Sequence, residues 1–293
     1  MAFNKIKRFI LKHLPSKIIV SREFKDVFGY KLDLKHPKTL NEKIQWLKVY
    51  DKKDSYTLLV DKIAVRKYVA NTIGESYLIP LLGEYDNFDD IDFEKLPSEF
   101  VIKTNNSSGG VVVCRNKDEN FDIEEARKII DYNLTHNFYE FTREYPYKNI
   151  KPSVMVEKYI GKDKLPADYK ILCFNGKADN IMICYDRESK KTKFFFFDLD
   201  WNLLRYNYQG LYAEKRFSIP KPDNLTLMIE LAEKLSENLP LARIDFYNID
   251  GKIYFGEITL YPDSGYDKNI LPEFDLLLGN KLKLPLEEKK WIL

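Results

Sequence analysis

Two strand-like runs, LARIDFYNI (residues 241–249) and KIYFGEITL (residues 252–260), carry polar groups inside an otherwise apolar pattern. They are Arg243 and Asp245 in the first, and Glu257 and Thr259 in the second. A lone carboxylate among apolar residues is costly, so Glu257 needs a partner. Asp250-Gly251 between the runs signals a hairpin, and loop length decides which side chains meet. A two-residue turn pairs Asp245 with Gly256 and sends Asp245 and Glu257 to opposite faces. A three-residue loop, Ile249 to Gly251 with Gly251 left-handed, sets Arg243 opposite Glu257 and makes Asp245 its diagonal neighbour. The hydrophobic pattern favours the second register. Ala242, Ile244 and Phe246 then gather with Tyr254, Gly256, Ile258 and Leu260, and the other face collects Arg243, Asp245, Glu257 and Thr259. Two carboxylates on one face can share a hard cation such as Mg2+, with phosphate oxygens completing its shell. Arg243 beside them suits a phosphate or a developing oxyanion. A cluster that merely pairs its charges fits the same spacing.

A second candidate is VIKTNNSSGGVVV, where Lys103 precedes a polar loop, Asn105 to Gly110. Its backbone donors, Ser107, Ser108, Gly109 and Gly110 could wrap phosphates. It is not a Walker loop, because no Gly-Lys-Ser/Thr follows and the next element is a strand. An ordinary hairpin loop is the plain alternative. The third candidate is SVMVEKYIGKDKLPADYKILCF. Alternation separates Glu157 and Tyr159 from Val156 and Lys158, and the strand end can offer backbone N–H and C=O groups to an adenine edge. Asp168 and Lys170 share one face of the following strand. Taken on its own, a solvated, charged sheet edge is the better explanation of this stretch.

The elements that must carry these groups alternate between hairpins and helices. TLNEKIQWLKVYD has capping-box spacing at Thr39 and Glu42, and VDKIAVRKYVANTIG predicts one helix ending near Gly74. Further helices are expected in IEEARKIIDYNLTHN and PDNLTLMIELAEKLSEN. Asn175-Gly176 joins two strands as a tight hairpin, and KFFFFDLDWNLLRY turns at Asp198 to Asn202. Many antiparallel hairpins with a few helices indicate an α+β architecture. The chain has 293 residues, 47 Lys plus Arg against 45 Asp plus Glu, and three Cys. Near-balance argues against a nucleic-acid partner. Cys114, Cys173 and Cys184 read as reduced core residues of a cytoplasmic protein. The basic, partly apolar N-terminus is too broken for a signal peptide or membrane span; it reads as a helix packed on the protein, or as a peripheral membrane contact.

Taken in order, LNEKIQWLKVYD, LVDKIAVRKYV, FVIKTNNSSGG, EYPYKNIKP, VEKYI, DYKILCFNGK, FDLDWNLL and ARIDFYN with GKIYFGEITLYPDSG resemble the ATP-grasp superfamily. More closely, they resemble its TupA-like branch of bacterial surface-polysaccharide and teichuronopeptide gene clusters. The resemblance implies two α+β lobes clasping ATP: a region 1–95, a small lobe 96–155 with the phosphate loop, and a large lobe 156–293 with the metal site. It implies Lys62 and Lys103 on phosphates under the Ser107 to Gly110 loop. Glu157, Lys158 and Ile160 would line the adenine pocket, with Asp168 on the ribose and Lys170 also at the nucleotide. Asp245 and Glu257 would hold magnesium, with Thr259 where many relatives carry Asn, and Arg243 would stabilise a phosphorylated intermediate. The implied reaction is ADP-forming amide synthesis between a uronic-acid-type carboxylate and an amine. Arg66, Arg143 and Arg187 are candidate carboxylate binders, Arg187 being also a candidate catalytic residue with Arg243 and Lys103, and Tyr145 and Tyr147 are candidate sugar-stacking rings. The alternatives are a sugar or small-molecule kinase, and a non-catalytic or glycosyl-transferring partner in the same pathway.

Overall fold

The computed structural model describes residues 14–162, 165–185 and 192–285. Arg187 and the first thirteen residues of the basic N-terminus, with the expectations attached to them, lie outside the described residues. Among those described, ten strands form two antiparallel sheets. The smaller has the order β1-β4-β2-β3, from Leu81–Tyr85, Val154–Lys158, Phe100–Thr104 and Val111–Cys114. The larger has the order β10-β9-β5-β6-β7-β8, from Lys252–Thr259, Leu241–Ile249, Asp168–Phe174, Lys177–Tyr185, Lys193–Phe197 and Leu203–Leu204. Six helices of eight or more residues accompany them: α1 Ser16–Phe28, α2 Leu40–Tyr50, α3 Val65–Thr72, α4 Ile123–Thr135, α5 Leu225–Ser236 and α6 Pro272–Lys281. The architecture is α+β. β4 lies at the centre of the small sheet and crosses the 155/156 division of the chain.

Each sheet has one apolar face and one polar face, as strand alternation requires when a single side is covered. Ala126 and Ile130 of α4 seal Phe100, Ile102, Val154 and Val156 of the small sheet. α5 places Met228, Leu231, Ala232 and Leu235 in the core shared with Ile171, Ile181, Ile244 and Phe246. Residues of opposite parity face the other way. They are Lys103 and Glu157 on the small sheet, and Asp168, Lys170, Arg243, Asp245, Glu257 and Thr259 on the large one.

The last hairpin corrects the expected register. Asp250 and Gly251 form a two-residue turn, both left-handed at φ 51° and 80°, and Ile249 pairs directly with Lys252. This is the backbone of a type I′ turn, not a three-residue loop. Parity is instead changed inside β10 by a bulge. Phe255 pairs with Phe246 and Glu257 with Asp245, leaving Gly256 as the extra residue. Asp245 therefore lies directly opposite Glu257, and Arg243 opposite Thr259. Ile253 and Phe255 join the apolar face before the bulge, in place of the expected Tyr254 and Gly256. Ile258 and Leu260 continue it afterwards. A Cβ at Gly256 would sit 3.0 Å from the Asp245 carbonyl oxygen, a reason for glycine at this bulge.

The expected helix over VDKIAVRKYVANTIG is also interrupted. A turn of helix at Thr57–Val60 stops at Asp61, and α3 starts only at Val65. The Asp61 carboxylate accepts from the Ile63 and Ala64 amides, so its side chain competes with helical continuation. The interruption places Lys62 in a turn rather than on a helix face. The remaining elements follow the sequence: Thr39 and Glu42 complete a capping box, Asn175-Gly176 is a left-handed two-residue turn, and all three cysteines are free and buried.

α2 and α6 cross where Gly279 has no side chain. A Cβ there would meet the Lys38 carbonyl oxygen at 2.1 Å and Thr39 backbone at 2.6 Å. Gly279→Ala must push the helices apart, and we expect a loss of about 1–3 kcal/mol. Urea unfolding followed by circular dichroism measures it; an unchanged midpoint would contradict this close approach.

Candidate active site

The polar face of the large sheet is organised around one guanidinium. Arg243 Nε and Nη2 donate to the two Asp245 carboxylate oxygens at 2.8 and 2.9 Å. Nη2 also donates to Glu257 Oε1 and Thr259 Oγ1, each at 3.1 Å, and the Thr259 hydroxyl donates to Glu257 Oε1 at 3.0 Å. On the neighbouring strand Lys170 pairs with Asp245 and, at 2.7 Å, with Asp168. The Asp168 Oδ1 atom is buried without a hydrogen bond among the described residues. Burial works against the charge of Arg243, but Asp245 and Glu257 outweigh it and raise its pKa. Burial opposes the charge of Lys170 too, and Asp245 and Asp168 more than restore it. Burial lifts the Asp245 carboxyl to about 6, against the opposing pull of Arg243 and Lys170.

A second polar group forms on the small sheet and faces the first. Glu157 accepts from Lys103 at 2.7 Å and from Arg66 of α3 at 2.9 Å. Arg66 also donates to the Ile79 carbonyl. Lys62 reaches the loop between β2 and β3, where its amide donates to Asn105 O and its ammonium to Ser107 O. Ser107 is buried, with its hydroxyl hydrogen-bonded to Asn133 of α4, whereas Ser108 and Gly109 are exposed at the loop tip. Gly110 is left-handed, and a Cβ there would strike Asn133 and Thr104. Lys62, Arg66, Lys103 and Glu157 line a narrow space shared with Gly256, so the two groups meet at the bulge. Lys158 is exposed and its amide donates to Pro80 O, while Ile160 is half-buried just beyond the strand.

The oxygen set of Asp245, Glu257 and Thr259 is of the kind magnesium takes. Glu257 Oε2 receives no hydrogen bond among the described residues, but both Asp245 oxygens are engaged by cations. No group of three acidic, His or Cys ligands is present among the described residues. The set therefore fits a metal whose remaining ligands come from a phosphate-bearing substrate. Of the other candidates, Arg66 belongs to the Glu157 cluster, and Arg143 is buried over the Tyr139 ring. The Tyr145 hydroxyl bonds Asp54 away from the site. Tyr147 lies near it, its hydroxyl pushed well up by burial, Glu144 and Glu257.

Sequence reasoning missed the support beneath the site. Asp263, Ser264 and Gly265 are successive left-handed residues at φ 46°, 55° and 71°. Such backbone costs about 1–3 kcal/mol per non-glycine residue and needs outside restraint. α2 provides it. Gln45 donates to the Ser264 and Gly265 carbonyls at 2.9 and 2.8 Å, and Lys48 to Ser264 O and Oγ at 2.9 and 3.0 Å. Lys48 has no exposed surface; burial lowers it to about 8, with Glu144 and Glu23 acting the other way. Asn41, Gln45 and Lys48 occur at i, i+4 and i+7, a polar stripe within an apolar helix, and this spacing was the available signal.

Burial disfavours ionised Glu257, yet Arg243, Lys62 and Lys170 prevail and bring it to about 2, below the usual 4.5. Its side chain keeps 37% exposure, so water screens part of this pull. A depressed carboxylate contributes stability above its unfolded pKa and loses it as pH falls toward the folded value. Between pH 4.5 and 2, wild type should therefore lose stability more steeply than Glu257→Gln. Urea titrations at stepped pH test this, and parallel curves would disprove the assigned field.

A family model described as "TupA-like ATPgrasp" matches residues 42–283. No curated protein matches the chain. Among solved structures, D-alanine–D-alanine ligase from Bacillus anthracis, complexed with ATP, is 18% identical with a TM-score of 0.43; the match covers 77% of this chain and 62% of that one. L-amino acid ligase from Bacillus licheniformis is 16% identical with a TM-score of 0.49, covering 90% of this chain and 61% of that one. The chain thus spans about three fifths of the length of these enzymes. The family match extends from α2, through both polar groups, to α6, and the chain belongs to the TupA-like ATP-grasp family.

Proposed function

We propose that this protein is an ADP-forming carboxylate–amine ligase that uses ATP and magnesium, acting in the cytoplasm on a uronic-acid-type carboxylate of a surface polysaccharide or its precursor. The observation that carries the reading is the facing pair of clusters: Arg243, Asp245, Glu257 and Thr259 on one sheet, and Lys62, Lys103 and the Ser107 to Gly110 loop on the other. Cations and a backbone-rich loop opposite carboxylates suit a triphosphate and a divalent ion. They leave amide synthesis without a histidine base chemically reasonable.

In this reading Lys62 and Lys103 hold phosphates, and the exposed loop tip at Ser108 and Gly109 closes over them. Glu157, Lys158 and Ile160 border the adenine, and the unpartnered Asp168 Oδ1 accepts from a ribose hydroxyl. Asp245, Glu257 and Thr259 hold magnesium, which supplies neutralisation of phosphate charge when bound. A substrate carboxylate oxygen attacks the γ-phosphorus, and the bond to the ADP oxygen breaks. The amine nitrogen then attacks the acyl carbon, phosphate departs, and nitrogen gives up its proton. Arg243 faces the charge that builds on the acyl phosphate and its tetrahedral successor. No helix among the described residues is long and apolar enough to cross a membrane.

ADP release from the purified chain with uronic acids, with and without amino acids, tests the reaction. We expect release to need both partners and to fall by about 10²-fold or more in Lys103→Met and Glu257→Gln. Full ATP consumption without any amine, with a stable phosphorylated sugar accumulating, would make the protein a kinase instead.

A further inference from the structure

Beyond Arg243 and Lys170, the polar face of the large sheet runs into a cavity of about 240 Å3. Its floor is apolar, formed by Met182, Phe194 and Phe196, and Asp263 and Asp267 stand at its wall. A smaller hollow bounded by Asn180 and Leu172 shares Lys170, Met182 and Arg243 with it, so the two are continuous. Asn180 is fully buried, and its Oδ1 atom has no hydrogen-bond partner among the described residues.

The charges of this space do not cancel locally. Arg243 and Lys170 are each bound to carboxylates of the sheet. Asp263 makes no side-chain hydrogen bond or ion pair among the described residues, although it stands near enough to Arg243 to favour that charge. Asp267 accepts only from backbone and Asn269, and burial together with Asp263 lifts its carboxyl to about 6. Two carboxylates thus face a cavity that offers acceptors and, among the described residues, an amide oxygen without a donor and no unpaired cation in the lining. What the walls lack is a positively charged donor with several N–H groups. The volume is enough for a molecule of amino-acid size.

We propose that this cavity is the amine subsite, taking a small primary ammonium compound between Asp263 and Asp267, with its carbon body on Met182, Phe194 and Phe196. The assignment rests on the ligase reading for its place in the reaction, since it brings the amine beside Arg243. Binding itself requires only the cavity. Because Lys170 and Arg243 are already paired, the site holds its ligand by the ammonium, and a carboxylate beside it gains no ion pair from these two cations. The strained turn at Asp263 is then explained, since its left-handed backbone turns that carboxylate toward the cavity.

Calorimetric titration of the full chain, with and without ADP and magnesium, tests the proposal using ethanolamine, L-lysine and propionate. Ethanolamine or L-lysine should bind and propionate should not. Asp263→Asn should weaken amine binding about tenfold, the loss of one charge-assisted contact, with ADP affinity unchanged. Asn tolerates the left-handed backbone as well as Asp does, so the variant keeps the turn. Phe194→Trp, which narrows the floor, should weaken L-lysine more than ethanolamine. Absence of amine binding to wild type, equal affinity in Asp263→Asn, or preference for propionate would overturn the assignment. Amine binding that never accelerates ADP release would instead overturn the ligase reading and leave the subsite standing.

Discussion

A buried guanidinium shared by two carboxylates and a hydroxyl is the interaction on which the centre of this protein depends. Removing Arg243 would leave the buried Asp245 short of the counter-ion that binds both its oxygens, a change that costs several kcal/mol for a buried pair. Arg243, Asp245 and Glu257 therefore constrain one another, and Lys170 and Asp168 extend the constraint to the next strand. Their meeting is a matter of strand parity. The Asp250-Gly251 turn alone would put Glu257 on the apolar side; the bulge at Gly256 returns it to the polar one. One residue without a side chain thus determines which face of β10 carries Glu257 and Thr259.

The second sheet and α2 act on this centre from opposite directions. Lys62 bridges the helical region and the loop before β3, and its charge helps keep Glu257 ionised. From the other side, Gln45 and Lys48 hold the turn after β10 in a conformation that backbone energetics alone disfavour. Asn41 continues the same work by exchanging hydrogen bonds with Asp267 and accepting Asp275 as a partner for its amide. The donors of the α2 polar stripe thus all find acceptors within residues 264–275.

Much of this was legible before the structure. Periodicity located the hairpins at Asn175-Gly176 and Asp198 to Asn202, the capping box at Thr39 and the long helices α4 and α5, because each is decided by neighbours close in sequence. The shared face of Arg243, Asp245, Glu257 and Thr259 was also legible, although for the wrong reason. Burial pattern reports which residues share a face, whereas turn length and bulge position trade off and leave that pattern nearly unchanged. The break at Asp61 was hidden because an aspartate capping its own following amides looks like an ordinary exposed helix residue. Lys48, Glu144 and Ser264 were illegible as a group, since nothing local says which distant carbonyls a buried lysine will find.

That distance has a bearing on how the chain reaches its final form. The contacts of α2 with Ser264, Gly265, Asp267 and Asp275 span 216 to 234 residues of sequence. At bacterial-to-eukaryotic synthesis speeds of about 5–20 residues per second, the helix emerges on the order of ten to forty seconds before its partners. Throughout that interval Lys48 and Gln45 have only water or a chaperone to satisfy them. Their burial, and with it the shaping of the turn beside Arg243, must come late in vectorial folding. The centre therefore matures only when the two ends of the matched region close on each other.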